Sequence, residues 1–280
     1  MSLFGLFSKK KDINKDEEPI REPTEIDFSE FDKVTEYIYN ESGITDLNSR
    51  ALTASRLQTY AKENGVYSTL EFLLALEKKS SFYQEVMNIA TINESFFLRE
   101  IKELKWLVNY IKESNKKIDI LVLPCATGEE VYSILILLLE SGVRLDRITI
   151  KGYDLNSQAI LSAQKGLYDE HSLHNVDSNL RRKYFKRVED ELYEIIDELK
   201  LKPTFVQANI FEIDTQKEHY DIVLSRNMFI YFDDKNRKKA LDVIVSLLRQ
   251  DGLYIKGHAD YIEPHPYLKN IAYGIYSKQI

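Results

Sequence analysis

One cysteine, six prolines and ten glycines in 280 residues exclude several kinds of protein at once. A lone thiol, Cys125, cannot form a disulfide within the chain and leaves a cysteine-rich zinc site without ligands. The five histidines (His171, His174, His219, His258 and His265) are scattered and lack H-E-x-x-H spacing, so the sequence indicates no metal site. Basic charge is also scarce. Thirty-eight Lys and Arg stand against 45 Asp and Glu, a formal charge of -7, which argues against a nucleic-acid partner. The longest strongly apolar run, 134–139, is far below the roughly 20 residues that span a bilayer. The first seven residues lack the basic start and long apolar stretch of a signal peptide. A cytoplasmic protein without stable membrane insertion is expected.

What is present is an ordinary globular composition, 44% hydrophobic and 30% charged, in a chain long enough for a core plus a satellite domain. Residues 1–26 mix Lys9-Lys10-Lys11 with Glu17, Glu18, Glu22 and two prolines, which reads as a flexible leader. Its Leu/Phe cluster leaves open a weak membrane or partner contact. From 27 to 92 apolar positions recur at helical spacing. Phe28, Phe31, Val34 and Ile38 mark a first helix, and 49–64, stopped by Gly65, a second. A third starts near Ser68 with Leu70, Phe72, Leu73, Leu74 and Leu76 as its buried face, and a fourth covers 82–89. These make an all-helical N-terminal domain.

The pattern then alternates. Strands are expected at 118–123, 147–153, 204–207, 220–225 and 253–257, with helices at 130–140, 157–166 and 235–249. Alternation of this kind implies an α/β fold, a parallel sheet with helices on both faces. Residues 168–202 fit neither element and read as an insertion into the 93–280 domain.

Ligands of open parallel sheets bind beyond the carboxyl ends of the strands. Three strand ends therefore matter most. The first, Pro124-Cys125-Ala126-Thr127-Gly128-Glu129-Glu130, has a single glycine where a dinucleotide site wants G-x-G-x-x-G, and its two glutamates would repel phosphates. A cationic adenosyl ligand such as S-adenosylmethionine suits it better, with Glu129 favouring the positive end. Equally, both glutamates suit the first turn of a helix as dipole partners. Asp154 closes the second strand, where an acid can accept both ribose hydroxyls, or else cap the next helix, a role open to Asn156 too. Asn209 follows the strand 204–207, where a polar amide could meet the adenine edge. Arg226-Asn227 closes the strand 220–225 and Tyr231 follows; an arginine there is seldom mere packing, although a solvated pair is the plain alternative.

Together these segments resemble the CheR family of chemotaxis methyltransferases, from about Phe31 to the end. The resemblance rests on Thr91-Ile92-Asn93-Glu94-Ser95-Phe96-Phe97-Leu98-Arg99-Glu100, on Cys125-Ala126-Thr127-Gly128-Glu129-Glu130-Val131-Tyr132-Ser133, and on Asp154-Leu155-Asn156 with Ala159. Leu180-Arg181-Arg182-Lys183-Tyr184-Phe185, Asn209-Ile210, Ser225-Arg226-Asn227, Ile230-Tyr231-Phe232-Asp233 and Gly257-His258-Ala259-Asp260 complete it. The resemblance implies a Rossmann-like class I methyltransferase sheet with a small inserted β-subdomain near 168–202. It implies S-adenosylmethionine as cofactor and S-adenosylhomocysteine as product, held by Asn93, Ser95, Arg99, Glu129, Asp154, Asn209, Ile210, Arg226 and Asn227, with Arg99 and Tyr231 beside the transferring methyl. The implied partners are the cytoplasmic methylation helices of chemoreceptors and, in some members, a tethering peptide at the receptor's carboxyl end. Ser95 stands where threonine is usual, Leu98 where a second aromatic is, and Val131 where proline is; none removes a group the chemistry needs. The helical domain's Arg50, Arg56, Lys62, Lys78 and Lys79 are diluted by acids.

The implied reaction is esterification of a glutamate, whose carboxylate is ionised at neutral pH and needs no general base. Competing readings are a nicotinamide oxidoreductase, which would want the missing glycine fingerprint, a methyltransferase with another substrate, and a non-catalytic module that senses S-adenosylmethionine. The presence of both Arg99 and Tyr231 speaks against the last.

Overall fold

The computed structural model describes residues 27–45, 47, 51–78 and 80–279. The leader 1–26, Arg50 and Lys79 lie outside the described residues. The helical domain contains α1 (Asp32–Ser42), α2 (Ala51–Glu63), α3 (Thr69–Glu77) and α4 (Ser81–Ala90). Helix α3 begins in a reciprocal cap: Ser68 Oγ accepts from the Glu71 N–H, and the Glu71 carboxylate accepts from the Ser68 N–H. Its buried face is a correction to the expectation. Thr69, Phe72 and Leu76 point inward, whereas Leu70 and Leu74 are 67% and 50% exposed. A nine-residue helix offers its core only the i, i+3, i+7 stripe, and its remaining leucines fall outside it.

The rest of the chain runs α5 (Ile101–Glu113), β1 (Ile118–Val122), α6 (Glu129–Glu140), β2 (Ile148–Asp154), α7 (Ser157–Lys165), β3 (Leu167–Asp169), α8 (Glu170–Leu173), α9 (Ser178–Tyr184), β4 (Phe185–Glu189) and β5 (Leu192–Ile195). Then come α10 (Asp197–Lys200), β6 (Thr204–Gln207), β7 (Tyr220–Ser225), α11 (Asp234–Leu247), β8 (Leu248–Lys256), β9 (Leu268–Ala272) and β10 (Ile275–Lys278). The main sheet has the order β6-β2-β1-β7-β8-β10-β9. Its first five strands are parallel and β10 and β9 antiparallel, so the expected sheet carries an antiparallel hairpin at one edge that the sequence did not announce. The insertion is an antiparallel sheet of order β3-β5-β4.

The central strands alternate between two cores, as a period of two requires. Ile118, Ile120 and Val122, with Ile222, Leu224, Leu253 and Ile255, join α5, α6 and the inserted sheet in one. Leu121, Leu123, Val223 and Tyr254 join α11 and the helical domain in the other. The helical domain is therefore continuous with one face of the sheet rather than hung on a linker. Among the described residues, no helix is long and apolar enough to cross a membrane.

Candidate active site

A cavity of about 280 Å³ opens where β1, β2, β6 and β7 end, roofed by the strap 90–95 that leaves α4. Strand order reverses here: β2 lies on one side of β1 and β7 on the other, which is the crevice where open α/β sheets bind ligands.

The strap is fixed at both ends. On the α4 side, Asn88 accepts from the Ser157 N–H at 2.9 Å, and Asn156 Nδ2 donates to Thr91 Oγ1 at 2.7 Å and to the Asn88 carbonyl at 3.1 Å. On the other side Phe97, fully buried, sits edge-on to Tyr168 and Phe185 of the inserted sheet, and the Leu98 N–H donates to Ser133 Oγ at 2.9 Å. Phe97 is thus the bolt that holds the strap, and the insertion supplies its socket.

Glycine is required at Gly128. Its φ is +94°, and a Cβ there would meet Ala163, Phe205 and Tyr132 at 3.0–3.2 Å, so the turn into α6 can pass close under the neighbouring helix only without a side chain. Among the described residues, six non-glycine residues have positive φ; Ala126 and Asn227 line the cavity, and Leu98 and Glu100 flank its Arg99. Backbone strain of this kind costs about 1–3 kcal/mol per residue and persists only where surrounding contacts impose it.

Arg226 supplies those contacts on the floor. It is 5% exposed and pairs with Glu130 at 2.9 Å and with Glu100 at 3.1 Å, while also donating to the Arg99 carbonyl at 2.6 Å. Burial pulls the Glu100 carboxyl up, but Arg226 and the donors His258 N–H and Asn227 Nδ2 hold it below its ordinary value. Burial dominates at Glu130, which stays above its ordinary value despite Arg226. Asp260 supports the same floor from below. Its carboxylate accepts from the N–H groups of Asn227 (2.5 Å), Phe229 (2.9 Å) and Gly257 (3.1 Å). A Cβ on Gly257 would stand 2.8 Å from both the Asn227 nitrogen and Asp260 Oδ2, so glycine is required here as well.

Asp154 ends β2 with its carboxylate 3% exposed, accepting from the Ala126 N–H at 2.8 Å and the Asn156 N–H at 2.9 Å. Burial outweighs these donors and pushes it up to about 6. Asn156, not Asp154, caps α7, accepting from the Ala159 N–H. Asn209 lines the cavity, but its amide is committed elsewhere: Nδ2 donates to the Glu41 carbonyl at 2.8 Å and Oδ1 accepts from the Phe211 N–H. The side chain ties the helical domain to the end of β6.

Asn93, Ser95, Arg99, Asp154, Asn209, Ile210, Arg226, Asn227 and Tyr231 all line the one cavity. Glu129 does not. It is 2% exposed and bonded to Thr127 Oγ1 (2.7 Å) and Ser172 Oγ (3.3 Å), and it is Glu130 that reaches the cavity. Successive residues on a helix point about 100° apart, so only one of two adjacent glutamates can face the ligand side. Glu130, Glu100 and Asp260 are the residues that sequence reasoning left without a role. All three sat inside quoted motifs, but the contacts of the last two join segments 127 and 33 positions apart. Cys125, buried in the lining, has its thiol pushed well above the ordinary value by burial, which removes it as a nucleophile.

A five-strand parallel run ending in an antiparallel hairpin, with an acid closing its second strand beside the switch point, defines a class I methyltransferase architecture. Comparison with known proteins identifies the family. The CheR methyltransferase, SAM binding domain, matches residues 93–273, and the chain belongs to that family. It is 31% identical over 261 residues to the chemotaxis protein methyltransferase of Campylobacter jejuni strain 81-176, covering 92% of this chain and 98% of that one. It is 30% identical over 254 residues to chemotaxis protein methyltransferase 2 of Vibrio cholerae, covering 85% and 86%. The Escherichia coli K12 chemotaxis protein methyltransferase is 26% identical over 238 residues, covering 82% and 83%.

The cavity's donors fit S-adenosylmethionine, which the family binds. Glu130 Oε1 is buried without a hydrogen-bond partner, as is Arg226 Nε. An unpaired buried carboxylate oxygen suits an ammonium or sulfonium, an unpaired guanidinium N–H suits a carboxylate, and both kinds of group occur on the methionine end of that cofactor. Asp154 retains lone pairs for the ribose hydroxyls beyond the two it gives to backbone N–H groups.

Proposed function

We propose that the chain methylates glutamate side chains on the cytoplasmic helices of chemoreceptors, giving methyl esters. The observation that carries this reading is Arg99. Among the described residues it forms no ion pair; it donates to the Glu94 carbonyl at 3.2 Å, lies over the Phe96 ring and is half-exposed at the cavity rim. A partly exposed guanidinium with no carboxylate partner is suited to an incoming carboxylate, which it binds in a planar, two-pronged fashion.

When bound, S-adenosylmethionine supplies an electrophilic methyl on a sulfonium. The substrate carboxylate is ionised already, so this chain's contribution is alignment and exclusion of water, which can account for much of the barrier. Arg99 orients the carboxylate and Tyr231 bounds the reaction space on the other side. Glu130 and Arg226 hold the charged methionine end and Asp154 the ribose. Asn93, Ser95, Ile210 and Asn227 complete the enclosure. Exposed Ile92 and Ile230 on the rim give the receptor helix an apolar contact. The inserted sheet, open along β3 and β4, would hold a receptor's tethering peptide by strand addition.

The test is transfer of labelled methyl from S-adenosylmethionine to receptor-bearing membranes of the source organism, followed by base. Label released as volatile methanol is expected and marks a carboxyl ester. Base-stable label would assign the methyl to nitrogen or another atom and overturn the substrate reading. Cofactor binding with no transfer to any receptor preparation would favour a sensor.

A further inference from the structure

Below the cofactor cavity, and outside its lining, three potential metal ligands converge. We infer that Glu100, Glu103 and His258 form a binding site for one divalent transition-metal ion, sharing Glu100 with the cavity floor. One ligand atom from each residue lies within 4.8 Å of the others. The three come from two segments 155 positions apart, so sequence spacing could not have shown them.

Two independent observations point to a cation. First, Glu103 is 4% exposed; its Oε1 lies 2.7 Å from His258 Nε2, and its Oε2 is buried with no hydrogen-bond partner. An unsatisfied buried carboxylate oxygen costs several kcal/mol unless a cation or donor reaches it. Second, the local charge does not balance. Glu100, Glu103, Glu130 and Asp260 gather around Arg226 and Arg99, so four carboxylates face two guanidinium groups. A divalent ion would close that balance.

The ligand set indicates the kind of ion. One imidazole nitrogen and two carboxylate oxygens suit zinc or manganese, whereas an all-oxygen shell would suit calcium or magnesium. Metal–ligand bonds of about 2.0–2.2 Å would set neighbouring ligands somewhat over 3 Å apart, so the ion replaces the His258–Glu103 hydrogen bond after a small opening. The His258 side chain is 41% exposed and gives the ion its entry path. Glu100 is oriented by outer contacts: its carboxylate accepts from Arg226, the His258 N–H and Asn227 Nδ2.

Zinc titration of the metal-free full-length protein, in competition with a chromophoric chelator near neutral pH, tests the site. One equivalent is expected to bind, and His258→Ala and Glu103→Gln should each weaken it at least tenfold. Binding should be unchanged in His174→Ala, which breaks the adjacent His171–His174 pair, rings 5.7 Å apart, the obvious rival for zinc. His258 is the more exposed of the two tested ligands, so its variant decides the matter if Glu103→Gln fails to fold. Absence of binding by the unaltered protein, or affinity that survives His258→Ala, or affinity lost in His174→Ala, would each overturn the assignment.

Discussion

Two arginines line the cavity and are used in opposite ways. Arg226, on the floor, is 5% exposed and is held by Glu100, Glu130 and the Arg99 carbonyl. Arg99, on the rim, is half-buried; its direct contacts are one carbonyl and one aromatic ring, with Glu130 acting on it only at longer range. The floor is assembled from distant segments and over-determined; Asp260 alone takes three backbone N–H groups there. The rim is a strap anchored at its ends, with the Arg99 guanidinium outside any ion pair among the described residues. On the function proposed above, the difference separates work done once, on folding, from work repeated at each turnover. A charge that builds the site must be neutralised inside the protein, and one that meets substrate must not be.

The hardest test of this division is Arg226→Ala. It leaves Glu100 and Glu130 buried without their common partner, a change that typically destabilises by about 3–5 kcal/mol. Denaturant unfolding is expected to show a loss of unfolding free energy of that size, with cofactor binding lost alongside. A loss below about 1 kcal/mol would mean that the paired carboxylates can take up protons or water at little cost, and the floor would not be the rigid element described.

Arg99→Ala should show the complementary pattern. Turnover is expected to fall about a hundredfold or more, since misplacement of a reacting group by an ångström can cost that much. Stability should stay within about 0.5 kcal/mol, as for most substitutions away from the core. Cofactor affinity should stay close to that of the unaltered chain, measured by calorimetry with S-adenosylhomocysteine. Equal losses in affinity and turnover would make Arg99 a cofactor ligand and erase the distinction between floor and rim.

How far the sequence announced this arrangement follows the same division. Strands β1 and β7 are buried on both faces and read as short apolar runs, and β2 buries all but Thr149 and Lys151, so the sheet and the three strand ends around the cavity were legible. The inserted sheet was legible only through the family resemblance, not through its own pattern: β4 exposes four of its five residues, and its pairing with β5 is offset by a bulge. The hairpin β9–β10 is an edge whose β9 is largely exposed, which erases the apolar signal. Helix α5, with Leu104, Leu107, Val108 and Ile111 on one face, had a readable period and is nevertheless absent from the expectations. Within the site, residue type at a strand end pointed to Asp154, Arg226 and Asn227. It could not say that Glu130 rather than Glu129 faces the cavity, which depends on the phase of α6. Nor could it supply Glu100 and Asp260, whose meaning lies in contacts with segments far along the chain.

Asp154 lies between the two regimes, and pH can separate its structural from its ligand role. Its carboxyl is pushed up to about 6 by burial, against an ordinary value of 3.8. Between those values the folded protein holds a proton that the unfolded chain has released, so this group's contribution makes stability fall as pH rises through the window. The full cost above pH 6 is on the order of 3 kcal/mol. In Asp154→Asn that cost disappears, but the amide can no longer accept from both the Ala126 and Asn156 N–H groups, and one orphaned N–H costs about 1–3 kcal/mol. The two effects nearly cancel at pH 7.5, so stability there should change little, and the variant's stability should be flatter than the parent's between pH 4 and 6. Cofactor affinity has no such compensation. An ionised carboxylate is the stronger acceptor for ribose hydroxyls, so affinity should fall as pH drops below about 6. Asp154→Asn should bind about tenfold more weakly at pH 7.5, with the pH dependence gone. Affinity indifferent to both pH and substitution would reduce Asp154 to a staple for the 124–128 loop and move it wholly to the floor.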